Sequence, residues 1–387
     1  MIAVIADDLT GAAELAAIGL RFGLNAEVQT QLTPDSKADL IVVDTDTRSR
    51  TPTEATTEVE KALKQLQEIP AQWIYKKVDS VMRGHILTEL TALLAASNAE
   101  RILLVPANPS MGRTISNGHY FINGRALNET DFATDPEYPA TSSDVLELLG
   151  QPESVTTCIL QPQQPLPAHG IIVGEAQSKE IILSWAAQLD DQTIPAGAAD
   201  FFAAILKVKG LRAKPPEEQP KPSQNKTVLF VCASGSHYSQ KTVEEAQRHG
   251  IPVVKIPPEL LLNDEPTGKP LQQWTNDTIT ALQEYSKVIV TIGQPIAPNP
   301  ELARKLRHHI AALVENVLSR ISIEELFIEG GATASAIVRR LRWRRFCPCA
   351  ELAPGVVRMR VEEKQNLYLT IKPGSYSWPK KTWTDTS

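Results

Sequence analysis

Ile2–Ala6 is an apolar run too short for a helix, and two acids close it. Thr10–Phe22 follows, rich in Ala and Leu, with Gly23 placed as the C-cap of a helix. Leu40–Asp44 is another buried-strand run, and Thr53–Gln67 reads as an amphipathic helix. The same alternation predicts a strand at Trp73–Val78, a helix at Ile86–Ser97 and a strand at Ile102–Val105 that stops at Pro106. Short apolar runs alternating with helices predict a parallel sheet covered on both faces. Ala107–Tyr138 breaks the rhythm: it is rich in Asn, Gly, Pro and Thr and reads as a long loop. Loops of that length in a compact domain usually serve function. The alternation returns near Gly170–Val173, with helices at Lys179–Leu189 and Phe201–Val208.

Lys209–Lys226 carries prolines and charges without a hydrophobic period, the pattern of a linker. Beyond it, strands are predicted at Thr227–Ala233, Lys287–Ile292, Glu325–Ile328 and Leu367–Ile371, and helices at Pro300–Ser319 and Thr333–Leu341. The chain therefore divides into an α/β domain at 1–208, a linker at 209–226 and a second α/β domain at 227–387. Both are expected to hold mainly parallel sheets flanked by helices, with the active cleft between them.

The length, 387 residues, agrees with two domains. Lys and Arg number 39 against 45 Asp and Glu, a net charge of −6. That balance argues against a protein built to coat nucleic acid or an anionic membrane. Four cysteines, whose one close pair is C-x-C, make neither a disulfide scaffold nor a zinc pattern. No apolar run approaches membrane-spanning length, and no basic segment precedes an apolar stretch at the start. A cytoplasmic α/β protein is the expectation.

Candidate chemistry gathers at the predicted strand ends, where open α/β sheets bind ligands. Asp7 and Asp8 follow the first strand and open a helix. Adjacent carboxylates there can hold a sugar hydroxyl, accept a proton or bind a metal. Capping of the helix accounts for one acid but not the pair. Lys76, Asp79, Ser80, Arg83 and Gly84 follow another strand and precede a helix N-terminus, an arrangement suited to an anion or to a solvated charged loop. Arg113 lies early in the long loop and can clamp a carboxylate, whereas His119 is a weaker candidate base. In the second half, Ser234 and Ser236 flank a glycine after a strand. Gly330, Gly331, Ala332 and Thr333 link a strand to a helix, with Gly331 expected in a conformation that side chains resist. Gly355 follows Pro354 and could pass beneath an adenine or ribose. Together these small-residue turns favour a nucleotide site, although no Walker-type loop exists. Arg339, Arg340, Arg342, Arg344 and Arg345 read as a solvated basic face.

In order, the motifs IADDLTGAAE, KKVDSVMRGHI, LVPANPSMGRTISNGHYFING, FATDPEYP and IPAGAADFF, then SGS, GGAT and PGV, resemble the four-carbon acid sugar kinase family along nearly the whole chain. The resemblance implies an acid-sugar-binding N-terminal domain and a nucleotide-binding C-terminal domain. It implies ATP-dependent phosphorylation of a hydroxyl on an acid such as threonate or erythronate. Asp7 or Asp8 would be catalytic, Lys76, Asp79, Ser80, Arg83, Gly84 and Arg113 would bind the acid, and Ser234, Ser236, Gly330–Thr333 and Gly355 would contact ATP. Mg²⁺ is expected with the nucleotide, and a homodimer is possible. Two segments depart from the family pattern: Ala332 replaces an acid, and Ile371–Ser377 lacks the usual Gly-rich ending. A non-catalytic sugar-acid sensor with a degenerate nucleotide domain is the alternative. A receiver-type pocket lacks the rest of its pattern, and a haloacid-dehalogenase-type phosphatase needs Asp-x-Asp where Asp-Asp-Leu-Thr stands.

Overall fold

A computed structural model describes the chain except residues 34, 136, 151–154, 215–225, 233–236, 263–264, 294–299, 375, 380–381 and 384–387. It divides into two compact units, Met1–Pro216 and Glu217–Ser387.

The first unit begins β1 (Ile2–Ala6), α1 (Leu9–Arg21), β2 (Ala26–Gln29), β3 (Leu40–Asp44), α2 (Pro52–Gln67), β4 (Trp73–Lys77), α3 (Ile86–Ala95) and β5 (Arg101–Val105). A small antiparallel sheet follows, β6 (Arg113–Ser116), β7 (His119–Ile122) and β8 (Arg125–Ala126). The unit continues with α4 (Val145–Leu149), β9 (Thr157–Leu160), β10 (Gly170–Gly174), α5 (Lys179–Ala187), β11 (Thr193–Gly197) and α6 (Ala199–Val208). Its main sheet runs β2-β3-β1-β4-β11-β5-β10-β9, with every neighbour parallel. The strands are apolar because both faces are covered: Val4, Ile5, Leu40, Val42, Leu103 and Ile172 are wholly buried.

The chain builds outward from β1 in both directions, first to β3 and then to β4. Such a reversal opens a crevice at the carboxyl end of the strand where it occurs, here just beyond Ala6. At the opposite, amino end of the strands, the last turn of α1 lies close against the sheet. A Cβ on Gly19 would stand 2.3 Å from Leu40 Cδ2, so any larger residue there would force Leu40 or α1 to shift.

Ala107–Tyr138, expected as a loop, contains the β6–β8 sheet and 3₁₀ turns at Pro109–Met111, Leu127–Glu129 and Asp131–Thr134. Its strands are short, and Gly and Asn take the turns between them, so helical or strand period never accumulates in the sequence. Asn117, Gly118, Asn123 and Gly124 all have positive φ.

The second unit comprises β12 (Val228–Cys232), α7 (His237–Arg248), β13 (Val253–Lys255), α8 (Pro258–Leu262), α9 (Gly268–Tyr285), β14 (Lys287–Thr291), α10 (Pro300–Leu318), β15 (Glu325–Glu329), α11 (Gly331–Arg340), β16 (Arg345–Ala353), β17 (Val356–Val361) and β18 (Tyr368–Lys372). Its strand order is β13-β14-β12-β15-β18-β17-β16. The first five are parallel, and β17 and β16 are antiparallel additions. Chain growth again reverses at the central strand, β12, which lies between β14 and β15. In the basic cluster, Arg340 pairs with Glu315 at 2.7 Å, so part of its charge is neutralised within the unit.

Gly19→Ala should lower stability by about 1–3 kcal/mol, the usual penalty for forcing an extra methyl into a packed core. Urea denaturation checks this; an unchanged midpoint would mean that α1 can move off Leu40.

Candidate active site

The carboxyl end of β1 carries Asp7 and Asp8, both nearly buried. Asp8 is the N-cap of α1, and its Oδ1 accepts the Gly11 amide at 2.9 Å. Its Oδ2 accepts Thr10 Oγ1 at 2.5 Å. The capping reading therefore holds for Asp8 and not for Asp7.

The segment after β3 lies across the end of β1, because parallel pairing continues past both strands. Thr45 N donates to Ala6 O at 2.9 Å, and Thr47 N and Arg48 N donate to Asp7 O at 3.0 and 3.2 Å. These bonds aim the Arg48 side chain at the acids. Its Nε donates to Asp7 Oδ2 at 2.8 Å and its Nη1 to Asp8 Oδ2 at 2.9 Å. The same Nη1 stands 3.6 Å from Asp79 Oδ1. One guanidinium thus serves carboxylates from two strand ends.

Asp79–Gly84 follows β4 and curls tightly. Asp79 Oδ2 accepts the amides of Val81 and Arg83, both at 3.2 Å, in an Asx-type turn. Met82 and Gly84 have φ of +66° and +91°, and Gly84 lies against the Arg48 stem. The curl folds Arg83 back onto Asp79, with Nε to Oδ2 and Nη2 to Oδ1 both at 2.9 Å. Its remaining Nη1 donates to Asp135 Oδ2 at 3.0 Å. The fork expected to grip a substrate carboxylate is engaged by protein carboxylates.

The β6–β8 insertion supplies further parts. Arg113 donates to Ser80 Oγ, and Tyr120 Oη to Ser80 O. Glu137 accepts Ser49 Oγ at 2.6 Å, and Tyr138 Oη donates to Arg48 O. A cavity of about 300 Å³ lies beside this network, lined by Met82, Arg83, Gly84, Tyr138, Thr141 and Ser142 among others. His119 is exposed, near Ser143.

Lys76 stands apart. Its ammonium is wholly buried, 2.5 Å from Glu89 Oε2. Glu89 occupies the first turn of α3, the helix end where an anion was expected. Adjacent strand residues face opposite sides of a sheet, and it is Lys77 that faces the acids. Lys77 Nζ donates to Val78 O at 2.9 Å and lies 3.6 Å from Glu14 Oε2. Nothing in a Lys-Lys pair says which lysine faces the ligand side. Arg48 and Lys77 are the cations beside these acids that motif reading missed. Arg48 could have been found from its position just past a strand expected beside β1.

Charge pairing sets the acidities. Burial pushes Asp8 upward, but Arg48, Lys77, the Thr10 hydroxyl and the Gly11 amide outweigh it and hold the carboxyl below its ordinary value. Burial likewise opposes ionisation of Asp79, and Arg83, Arg48 and Arg113 overcome it, holding that carboxyl well below the usual range. Burial pushes the Tyr138 phenol up to about 12, with Glu137 adding to it.

In the second unit, Gly330 directly follows β15 with φ +93° and is the N-cap of α11, its amide bonded to Lys372 O at 2.9 Å. The left-handed glycine is Gly330; Gly331, expected to hold that conformation, is already the first helical residue. Ala332 is exposed and Thr333 buried in the first turn. Gly355 takes φ +71° in the two-residue turn between β16 and β17, and the Tyr376 ring packs against it. That turn gives Gly355 a structural role of its own. Beneath the Gly330 turn, Glu329 and Lys372 form a wholly buried ion pair at 3.1 Å. Ser234 and Ser236 lie outside the described residues.

Comparison with known proteins bears on both units. Residues 2–169 match the family model of a sugar-binding N-terminal domain, and residues 229–376 that of a nucleotide-binding C-terminal domain. The chain is 27% identical to a D-threonate kinase of Salmonella typhimurium, over 91% of this chain and 89% of the relative. It is 27% identical to a 3-oxo-tetronate kinase of Actinobacillus succinogenes, over 97% and 96% respectively. The solved structure of Haemophilus influenzae protein HI1011 has the same fold, with a TM-score of 0.71 at 22% identity over 97% of each chain.

Lys76→Met leaves Glu89 buried without its counter-charge and should cost about 3–5 kcal/mol of stability. Urea denaturation measures it; unchanged stability with a raised sugar-acid KM would return Lys76 to a binding role. For Asp79, the native state holds fewer protons than the unfolded chain in the acid range. Its contribution is complete above about pH 4 and is lost as pH falls through the depressed native value. The stability gap between wild type and Asp79→Asn should therefore be widest near neutrality and narrow below about pH 4. A gap independent of pH would show that Asp79 acts by packing alone.

Proposed function

The chain belongs to the four-carbon acid sugar kinase family, and from that premise we propose how its own residues divide the work of moving a phosphoryl group from ATP to a hydroxyl of a small sugar acid. The observation that carries the reading is the set of carboxylates, arginines and Lys77 at the carboxyl end of β1, in the unit that matches a sugar-binding domain. Polyols are bound by carboxylates that accept their hydroxyls, and an acid needs cations beside them. Asp7 and Asp8 face the hydroxyl to be phosphorylated. Asp79, Ser80 and Gly84 shape the wall, and Arg83 and Arg113 supply positive charge toward the acid group. The cavity beside Arg83 is at the small end of ligand sites, as a four-carbon acid requires. The relatives' names make threonate and 3-oxo-tetronate the first substrates to test.

In the nucleotide-binding unit, the Gly330 turn and the α11 N-terminus present backbone amides to the ATP phosphates. Mg²⁺ is expected with the nucleotide. Among the described residues the turn offers it no free carboxylate: Ala332 has none, and Glu329 is paired with Lys372. The phosphates and water would hold the ion. ATP as donor fits a cytoplasmic setting. The transfer itself needs alignment and charge neutralisation more than covalent chemistry.

A coupled assay with ATP over a panel of four-carbon acids tests the reading, with turnover expected for at least one. Gly330→Val should weaken ATP binding at least about tenfold by calorimetry, because a β-branched residue resists its backbone angles. Sugar-acid affinity should not change. A wild type that binds the acid but no nucleotide at millimolar concentration would be a sensor.

A further inference from the structure

The two acids after β1 are held differently. Asp8 has both oxygens occupied, Oδ1 by the Gly11 amide and Oδ2 by Thr10 and Arg48. Asp7 uses Oδ2 for Arg48 Nε, and its carbonyl holds the Thr47 and Arg48 amides. Its Oδ1 is buried and, among the described residues, has no hydrogen-bond partner. Asp7 is only 4% exposed. A buried carboxylate oxygen left unsatisfied is unfavourable, and such orphans in native structures call for a reason. Occupancy by a ligand donor supplies one.

We propose that Asp7, through Oδ1, takes the proton of the hydroxyl that is phosphorylated, and that Asp8 is a positioning residue; this rests on the sugar-acid kinase reading. The substrate O–H bond breaks toward Asp7 Oδ1 while the hydroxyl oxygen forms its bond to the γ-phosphorus of ATP. The bond from that phosphorus to the β,γ-bridging oxygen breaks, and ADP leaves with its electron pair. Asp8 holds Arg48 on one side and the α1 N-terminus on the other, so Asp7 Oδ2 stays bound to Arg48 and Oδ1 stays turned to the substrate. Arg48 is the outer member of the pair, with 16% side-chain exposure against 5% for Asp7.

Calorimetry with D-threonate and its monodeoxy analogues tests the assignment without relying on turnover. In wild type, removing the reacting hydroxyl should weaken binding about 10- to 100-fold, the worth of a hydrogen bond to a charged group. That increment should vanish in Asp7→Ala and persist in Asp8→Ala, whose melting temperature should fall through loss of the cap. Should Asp7→Ala fail to fold, Asp7→Asn carries the comparison through turnover. Its kcat should drop about 10²–10⁴-fold with the KM for ATP unchanged. An increment lost in Asp8→Ala but kept in Asp7→Ala, or near-normal kcat in Asp7→Asn, overturns the assignment and leaves the kinase reading standing. A wild type that neither binds nor phosphorylates any sugar acid removes the kinase reading, and the assignment with it.

Discussion

The Arg48 guanidinium holds the acidic end of the first unit together. Asp7, Asp8 and Asp79 come from the ends of two neighbouring strands, and three carboxylates so close repel one another. Arg48 lies between them, its own charge secured by the acids despite burial. Its backbone is bonded to the carbonyl of Asp7, one of the residues that its side chain neutralises. Position and charge thus come from one short segment. The remaining charges extend outward from it: Arg83 closes on Asp79, Asp135 on Arg83, and Lys77 lies near Asp8.

Such a network would suit a charged polyol, the ligand proposed for it, because its groups are already paired and oriented. Asp7, Asp8, Asp79 and Asp135 each lie beside a cation, and Arg48 and Arg83 are each held by more than one partner. Preorganised charge in a water-poor site acts more strongly than the same charge in solvent. The β6–β8 insertion contributes by bringing Arg113, Tyr120, Asp135 and Tyr138 to the ends of strands that lie far from them in sequence.

The nucleotide-binding unit uses the opposite economy of charge. Its buried pair, Glu329 and Lys372, sits at the ends of adjacent strands, and the two opposite charges neutralise each other. Burial pulls the Lys372 ammonium down, and Glu329 works against that pull. What the turn above presents is backbone: a left-handed glycine and the opening amides of a helix. Amides and a helix dipole suffice for an anion, so a carboxylate at position 332 is not needed to bind phosphate.

By itself the sequence determined the α/β alternation, most strand positions and the placing of Asp7, Asp8, Asp79, Arg83 and the Gly330 turn at strand ends. These depend on local period and on turn chemistry, which a linear chain displays. Ala107–Tyr138 was not legible, because strands of two to four residues carry too little period to stand out from turns. Tertiary structure alone decided which charges meet. Arg48 reaches acids 40 and 41 residues away in sequence, because the β3 end lies beside β1. The pleat sent Lys76 to Glu89 and Lys77 toward Asp8, a choice invisible in two identical letters. Arg83 was recognisable as a cation, but only the curl of Asp79–Gly84 turned its fork onto Asp79. Pairing between charges is a matter of distance across strands, and distance exists only once the chain has folded.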